Sequence, residues 1–261
     1  MGVLTVDLED WFQVYNFSNT IKFDDWENQE IRVVSNTKKV LGMLDSADKK
    51  ATFFVLGWVA EKFPGLIKEI YEKGHEIACH GYSHKPIFKM TYGEFAKDLD
   101  KSVSAIENAC GVRPIGFRAP SFSIVKDTLW ALDVLKEKGF KYDSSMVPTK
   151  HPDYGIQGIP KTPFKIRGII EVPMTTTFGL PFGGGYFRVF PYFFSKYLMK
   201  QHKNPIFYVH PWEFDPGQPR RKLPLLKKFR HYVGLERTEK KFTRLMEEFK
   251  FGRMDDFLNI Y

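Results

Sequence analysis

Two histidines four residues apart, in His80-Gly81-Tyr82-Ser83-His84, are the first residues whose type and spacing suggest chemistry. Imidazoles at i and i+4 fall on one side of a helical turn, and a carboxylate from elsewhere would complete a site for a divalent ion. The same spacing also fits a helix N-terminal region with two incidental histidines, so both readings stay open. A second group lies near the N-terminus, where Asp7-Leu8-Glu9-Asp10 places three acids within four residues. Alternation along a strand turns Asp7 and Glu9 to the same side, and Asp10 begins the loop. Carboxylates crowded this closely repel unless a cation or proton neutralises one, which suits a metal ligand beside a general base. Arg118, Asp143 and His210 each follow or end a short apolar run. None of these polar residues carries an argument alone; what matters is whether the fold gathers them.

The elements that would gather them alternate. Residues 3–6, 51–56, 76–79, 115–117, 140–142, 169–174 and 206–209 read as strands. Between them, residues 31–44, 59–71, 126–138 and 192–200 carry helical periodicity, and Thr91-Tyr92-Gly93-Glu94 opens a further helix with a capping-box pattern ending at Gly111. Strands alternating with helices in this number argue for an α/β fold with a parallel sheet, closed or nearly closed into a barrel. In such a barrel the C-terminal strand ends share one face, so the acids, the histidines and Arg118 would meet around one mouth. Residues 148–167 are rich in Pro, Gly and Lys and read as a long surface loop, and Gly183-Gly184-Gly185 as another irregular connection. Trp11, Tyr186 and Trp212 are aromatics placed near that mouth, where flat faces suit sugar rings, although most aromatics in a chain with 25 Phe belong to the core. Asp143, in Asp143-Ser144-Ser145, fits a hydrogen bond that supports the site from behind, a contact to the bound acyl group, or a turn.

Composition sets the bounds. The 261 residues are 43% hydrophobic and 27% charged, which excludes a disordered or fibrous chain and favours one globular unit. The net charge of +8 comes from basic residues dispersed along the chain except near the C-terminus, at Arg220-Arg221-Lys222 and Lys227-Lys228-Arg230. No nucleic-acid-reading module accompanies that run, so it suits an anionic polymer or a membrane surface better than nucleic acid. Cys79 and Cys110 are too few for a disulfide scaffold. No basic, then apolar, leader pattern is visible and no run approaches the length of a membrane span, so the expected location is the cytoplasm, with association at the cell envelope as the alternative.

The ordered motifs resemble those of carbohydrate esterase family 4, the NodB-homology polysaccharide deacetylases: the acid cluster after a strand, His80-x-x-x-His84, Arg118-Ala119-Pro120 and Tyr208-Val209-His210. The resemblance extends to the subfamily with a C-terminal extension of unknown function (DUF3473), found beside exopolysaccharide loci with PEP-CTERM/exosortase systems, through TVDLEDWFQV, GGGYFR, FYVHPWEFDP and RHYVGLERTE. It implies a distorted (β/α)7 barrel formed by residues 1–261 as a single domain, with about 212–261 as an extension packed on it. It also implies one divalent ion, Zn2+ first and Co2+, Ni2+ or Mn2+ as alternatives. By the same resemblance His80 and His84 match the histidine ligands, Asp7 the catalytic base, Arg118 the residue orienting that base, and His210 the general acid. The family's usual Thr-Phe-Asp-Asp-Gly is here Thr5-Val6-Asp7-Leu8-Glu9-Asp10. An Asp-x-Asp alignment makes Glu9 the third ligand, and a one-residue insertion makes it Asp10. The implied reaction is removal of N-acetyl groups from an amino-sugar polymer or its lipid-linked precursor. Deformylation or cyclic-amide hydrolysis on the same barrel, and a silent carbohydrate-binding role, are the alternatives.

Overall fold

The computed structural model describes residues 1–151 and 154–260. Its first strand, β1 (Gly2–Leu8), is buried along its whole length because both faces are covered, as a central parallel strand requires. Around it run β2 (Thr52–Val55), β3 (Glu76–Cys79), β4 (Gly116–Phe117), β5 (Tyr142–Asp143), β6 (Phe164–Ile166) and β7 (Ile169–Glu171). After the small hairpin β8 (Thr176–Thr177) and β9 (Leu180–Pro181) come β10 (Ile206–Val209) and β11 (Phe251–Gly252). The main sheet has the order β10-β1-β2-β3-β4-β5-β7-β6, and β11 pairs with the start of β1. Every step from β10 to β7 is parallel, and β6 adds an antiparallel edge. The sheet curls as an incomplete barrel, the distorted (β/α)7 architecture. On its open side Thr175 bridges the gap by accepting the Ile206 N–H on Oγ1 (2.8 Å).

The helices follow the sequence signals closely, with instructive exceptions. They are α1 (Val33–Ser46), α2 (Gly57–Lys62), α3 (Pro64–Glu72), α4 (Tyr92–Cys110), α5 (Ala131–Glu137), α6 (Gly184–Val189), α7 (Tyr192–Lys200), α8 (Leu225–Tyr232), α9 (Leu235–Glu248) and α10 (Met254–Leu258). Thr91 caps α4 as expected: its Oγ1 accepts the Glu94 N–H while Glu94 Oε2 accepts the Thr91 N–H, and Gly111 ends the helix at φ 74°. The single helix expected over 59–71 is two, because Phe63 leaves helical geometry before Pro64. The Gly-rich segment is not merely irregular, since Gly184 starts α6. The loop expected over 148–167 contains β6 at its end, and part of it lies outside the described residues. Cys79 and Cys110 are both free thiols.

The C-terminal residues return to both ends of the sheet. α9 packs against α6 and against the turn Pro211–Phe214 that follows β10. β11 and α10 instead close the N-terminal ends of the strands, where Met254 N–H donates to Thr52 Oγ1 (2.7 Å) and Asp255 N–H to Glu76 Oε2 (3.1 Å).

Candidate active site

The C-terminal ends of β1, β3, β4 and β10 bring Asp7, Glu9, His80, His84, Arg118 and His210 together. Arg118 is fully buried and organises one side. Its Nη1 donates to Asp7 Oδ1 (2.6 Å) and to Thr5 Oγ1 (2.8 Å), and its Nε donates to the Ser144 carbonyl (3.0 Å). The Phe54 ring lies under the guanidinium, 4.1 Å from Cζ. With its position fixed from all sides, Arg118 leaves Asp7 one defined orientation.

His80 and Glu9 face this pair. The Arg118 carbonyl lies 2.7 Å from His80 Nδ1, which places the proton on that nitrogen and the lone pair on Nε2. Burial, aided by repulsion from His84, pushes His80 down to about 3, so it is a neutral imidazole. The His80–His84 segment is not helical, contrary to the i, i+4 expectation. It is a loop with Gly81 at φ 73° and His84 at φ 53°, and this folding back brings the two ring centroids to 5.4 Å. A Glu9 oxygen and one ring nitrogen from each of His80 and His84 lie within 4.8 Å of one another. Glu9 Oε2 sits 2.7 Å from His84 Nε2, yet it has no aligned hydrogen bond. Burial opposes the Glu9 charge, but the facing His84, His210 and His80 outweigh it and lower its pKa.

On the other side His210 Nε2 lies 3.4 Å from Glu9 Oε1 and 3.9 Å from Asp7 Oδ2. Its Nδ1 lies 3.3 Å from Glu213 Oε2, and Glu213 Oε1 accepts from Arg188 Nε at 2.7 Å. Burial alone would discharge His210, but Glu213, Glu9 and Asp7 reverse that and raise it to about 9. Trp212 stacks between the His210 and His231 rings at centroid distances of 5.3 and 4.5 Å and donates Nε1–H to Glu9 Oε1 (3.2 Å). Asp7, Glu9, His80, His84, His210 and Trp212 line a cavity of about 160 Å³ that also meets Ser121 and Phe122, both at positive φ in the loop after Arg118. It opens into a groove of about 550 Å³ past Tyr186, Phe190 and Phe229.

Three of the residues singled out in the sequence stand outside the cavity and the groove. Asp10 is not among the gathered ligands: Oδ1 accepts the Trp11 N–H, and Oδ2 accepts those of Arg32 and Val33 (2.7 and 2.8 Å), so it caps α1. Trp11 is fully buried, donating Nε1–H to the Glu30 carbonyl and packing edge-on against Phe12 and Phe17, and does not face the groove. Asp143 is also fully buried, bonded to Ser145, and it raises the pKa of buried Glu171 after the larger effect of burial. It supports the Arg118 loop through Ser145, whose Oγ accepts the Ala119 N–H (2.7 Å). Tyr186 and Trp212 do line the groove. Arg188 and His231 escaped sequence reasoning because their partners are remote, whereas Glu213 carried a local signal, three residues after His210 in a turn where its Oε2 accepts the His210 N–H.

Residues 18–142 match the polysaccharide deacetylase family, and residues 144–259 match the domain of unknown function DUF3473. The boundary falls inside the main sheet, between β5 and β7, which are hydrogen-bonded neighbours. A peptidoglycan deacetylase-like protein of Gibberella zeae is 38% identical over 113 residues, 43% of this chain and 32% of that protein. A peptidoglycan-N-acetylglucosamine deacetylase of Bacillus cereus is 32% identical over 136 residues, 48% of each chain. The match thus spans less than half the length of these relatives. Among solved structures, one described as a polysaccharide deacetylase from Mycobacterium smegmatis superposes with a TM-score of 0.65 at 19% identity, covering 98% of this chain and 88% of that one. A carbohydrate esterase 4 pseudoenzyme from Bacillus anthracis gives 0.57 at 16% identity, covering 99% and 65%. Residues 18–142 belong to the polysaccharide deacetylase family of NodB homology, carbohydrate esterase family 4, and are followed in the same sheet by DUF3473 over residues 144–259.

Proposed function

We propose that this protein hydrolyses N-acetyl groups from an amino-sugar polymer or its lipid-linked precursor, with a divalent ion held by Glu9, His80 and His84, and that both halves work as one domain. The observation that carries this reading is the convergence of a buried carboxylate and two buried imidazoles beside an arginine-held Asp7. The donor set fits such an ion: two imidazole nitrogens and one carboxylate suit Zn2+ first, with Co2+, Ni2+ or Mn2+ also compatible. Glu9 Oε2, buried and 2.7 Å from His84 Nε2 without an aligned hydrogen bond, fits it too. When bound, the ion would polarise the amide carbonyl and acidify the attacking water.

The chain's own groups do the rest. Asp7, oriented by Arg118, accepts the proton of the attacking water at Oδ2, the oxygen that Arg118 leaves free. His210, on the opposite side and kept protonated by Glu213, donates to the departing nitrogen from Nε2. Tyr186 offers a flat face to a sugar chain in the groove, whereas Trp212, its faces covered by His210 and His231, meets it only at the ring edge. Relatives named as peptidoglycan deacetylases favour an N-acetylated glycan as the substrate class.

A screen of N-acetylated oligosaccharides, with acetate and free amine measured together, tests the reading. Equal amounts of both products, abolished by a chelator and restored by one divalent ion, are expected. Release of formate would shift the assignment to deformylation, and saccharide binding without product would make the chain a silent binder.

A further inference from the structure

We infer that the face around α8, at the outer end of the groove, docks on an anionic phospholipid membrane. The sequence of α8, Leu225-Leu226-Lys227-Lys228-Phe229-Arg230-His231-Tyr232, is built inside out. A helix on a folded core ordinarily turns its apolar stripe inward. Here the buried residue is His231, stacked on Trp212, while Leu225, Leu226 and Phe229 are 86%, 61% and 56% exposed. At 100° per residue these three fall on one outward face, with Lys228 on one flank and Arg230 on the other. The helix is not loosely attached: Arg188 donates to the carbonyls of Arg230, His231 and Val233 at 2.6 to 3.0 Å. The outward face is therefore the one the fold selects.

The apolar surface continues beyond the helix. Leu226 and Phe229 share the groove wall with Leu180 and Phe190, and those two also line the next hollow with Phe178. Phe178 is 80% exposed at the tip of the β8–β9 hairpin. A contiguous exposed apolar surface of this kind on a folded domain marks an interaction site.

Charge identifies the partner. Residues 216–235 contain no acid, and Arg220, Arg221, Lys222, Lys227, Lys228 and Arg230 form no ion pair with a carboxylate among the described residues. Apolar side chains flanked by unpaired cations are the composition of an interfacial helix on anionic lipid. An anionic polysaccharide would use the cations but gives Leu225, Leu226 and Phe229 nothing to enter. No helix among the described residues can cross a membrane, so attachment would be peripheral. The groove leading to His210 opens at this face, which would present membrane-proximal chains to it.

The test is co-sedimentation of the full chain with vesicles of phosphatidylcholine alone and of phosphatidylcholine with phosphatidylglycerol. Binding to the second only, weakened by salt, is expected. Leu226→Glu with Phe229→Glu should lower it at least about tenfold, and Lys222→Gln with Lys228→Gln about fivefold for each charge lost. The second pair keeps the question answerable if the first misfolds. No pelleting, or equal pelleting with both vesicles, overturns the inference. So does retention on a soluble polyanion that ignores Leu226→Glu and Phe229→Glu, or a dimer in solution dispersed by them, when either occurs without vesicle binding. Vesicle binding is read without turnover, so its failure leaves the proposed reaction standing.

Discussion

Arg188 Nε and Glu213 Oε1 meet at 2.7 Å with both side chains shut off from water, and the other Glu213 oxygen faces His210 Nδ1. A residue of α6 thereby sets the charge of a residue at the end of β10. Glu213→Gln removes the main negative partner of the imidazolium, so the His210 pKa falls from its raised value near 9. The alkaline limb of the kcat/KM profile should move to lower pH, with acetate release near the optimum reduced more mildly than in a His210 deletion. A profile that does not move would leave Glu213 a purely structural partner. Arg188→Met, which strands Glu213, should cost about 3–5 kcal/mol in a denaturant titration, the usual loss on breaking a buried pair.

The second prediction separates neighbours. Glu9→Gln and His84→Ala should each lose the divalent ion, measured by elemental analysis after dialysis, while remaining folded. Asp10→Asn should keep the ion but lose about 1 kcal/mol of stability, because it weakens the cap on α1. Loss of the ion in Asp10→Asn alone would reverse the assignment.

That pair also shows what was legible in the sequence. Strand alternation put Asp7 and Glu9 on one side, and both do face the cavity, although β1 ends at Leu8 and the Glu9 N–H turns back to the Asp7 carbonyl (3.0 Å). It could not distinguish Glu9 from Asp10, since the deciding fact is the start of α1 returning 22 residues later to meet Asp10. The β/α alternation, the capping box at Thr91 and the placement of His80, Arg118 and His210 at strand ends are local signals, and they gave the barrel. Trp11 misled because an aromatic beside an acid cluster looks the same in sequence whether its indole meets solvent or the Glu30 carbonyl. The Arg188–Glu213 link joins side chains with no periodic relation, and only the folding of α6 against the turn after β10 reveals it.

At the opposite end of the barrel, burial and then the Asp255 charge raise Glu76 to about 7, although Thr52, Tyr142 and the Asp255 N–H bond its oxygens. The folded pKa exceeds the unfolded value near 4.3, so the folded state holds the extra proton. The stability this contributes is fully present below about 4.3 and is lost as pH rises through about 7, at no more than about 1.4 kcal/mol per pH unit. Glu76→Gln should flatten the fall in Tm over that window relative to wild type. Parallel curves for the two proteins would show that Glu76 does not titrate there.

Asp7→Asn should abolish acetate release while the ion remains bound, because the amide cannot accept the water proton but all three ligands stay in place. The Arg118 contact tests the reading further: Asn keeps an oxygen for Nη1, so the fold should hold. Activity near wild type in this variant would pass the base role to another carboxylate, with Glu213, which faces His210 Nδ1, as the candidate.

His210 can be tested through its leaving group. An amine departs as a neutral molecule only if it gains a proton while the C–N bond breaks, and His210 Nε2, 3.9 Å from Asp7 Oδ2, is the protonated group across the cavity from the base. His210→Ala should therefore slow amide hydrolysis by roughly 10²–10⁴-fold. An activated aryl ester needs little protonation to leave, so its hydrolysis should fall far less in the same variant, with the ion retained. Because the two substrates share the metal, the base and the cavity, a general loss of structure would depress both rates together. Equal losses would thus assign His210 to orientation of Glu9 and Trp212, its other neighbours, and leave protonation of the amine to solvent.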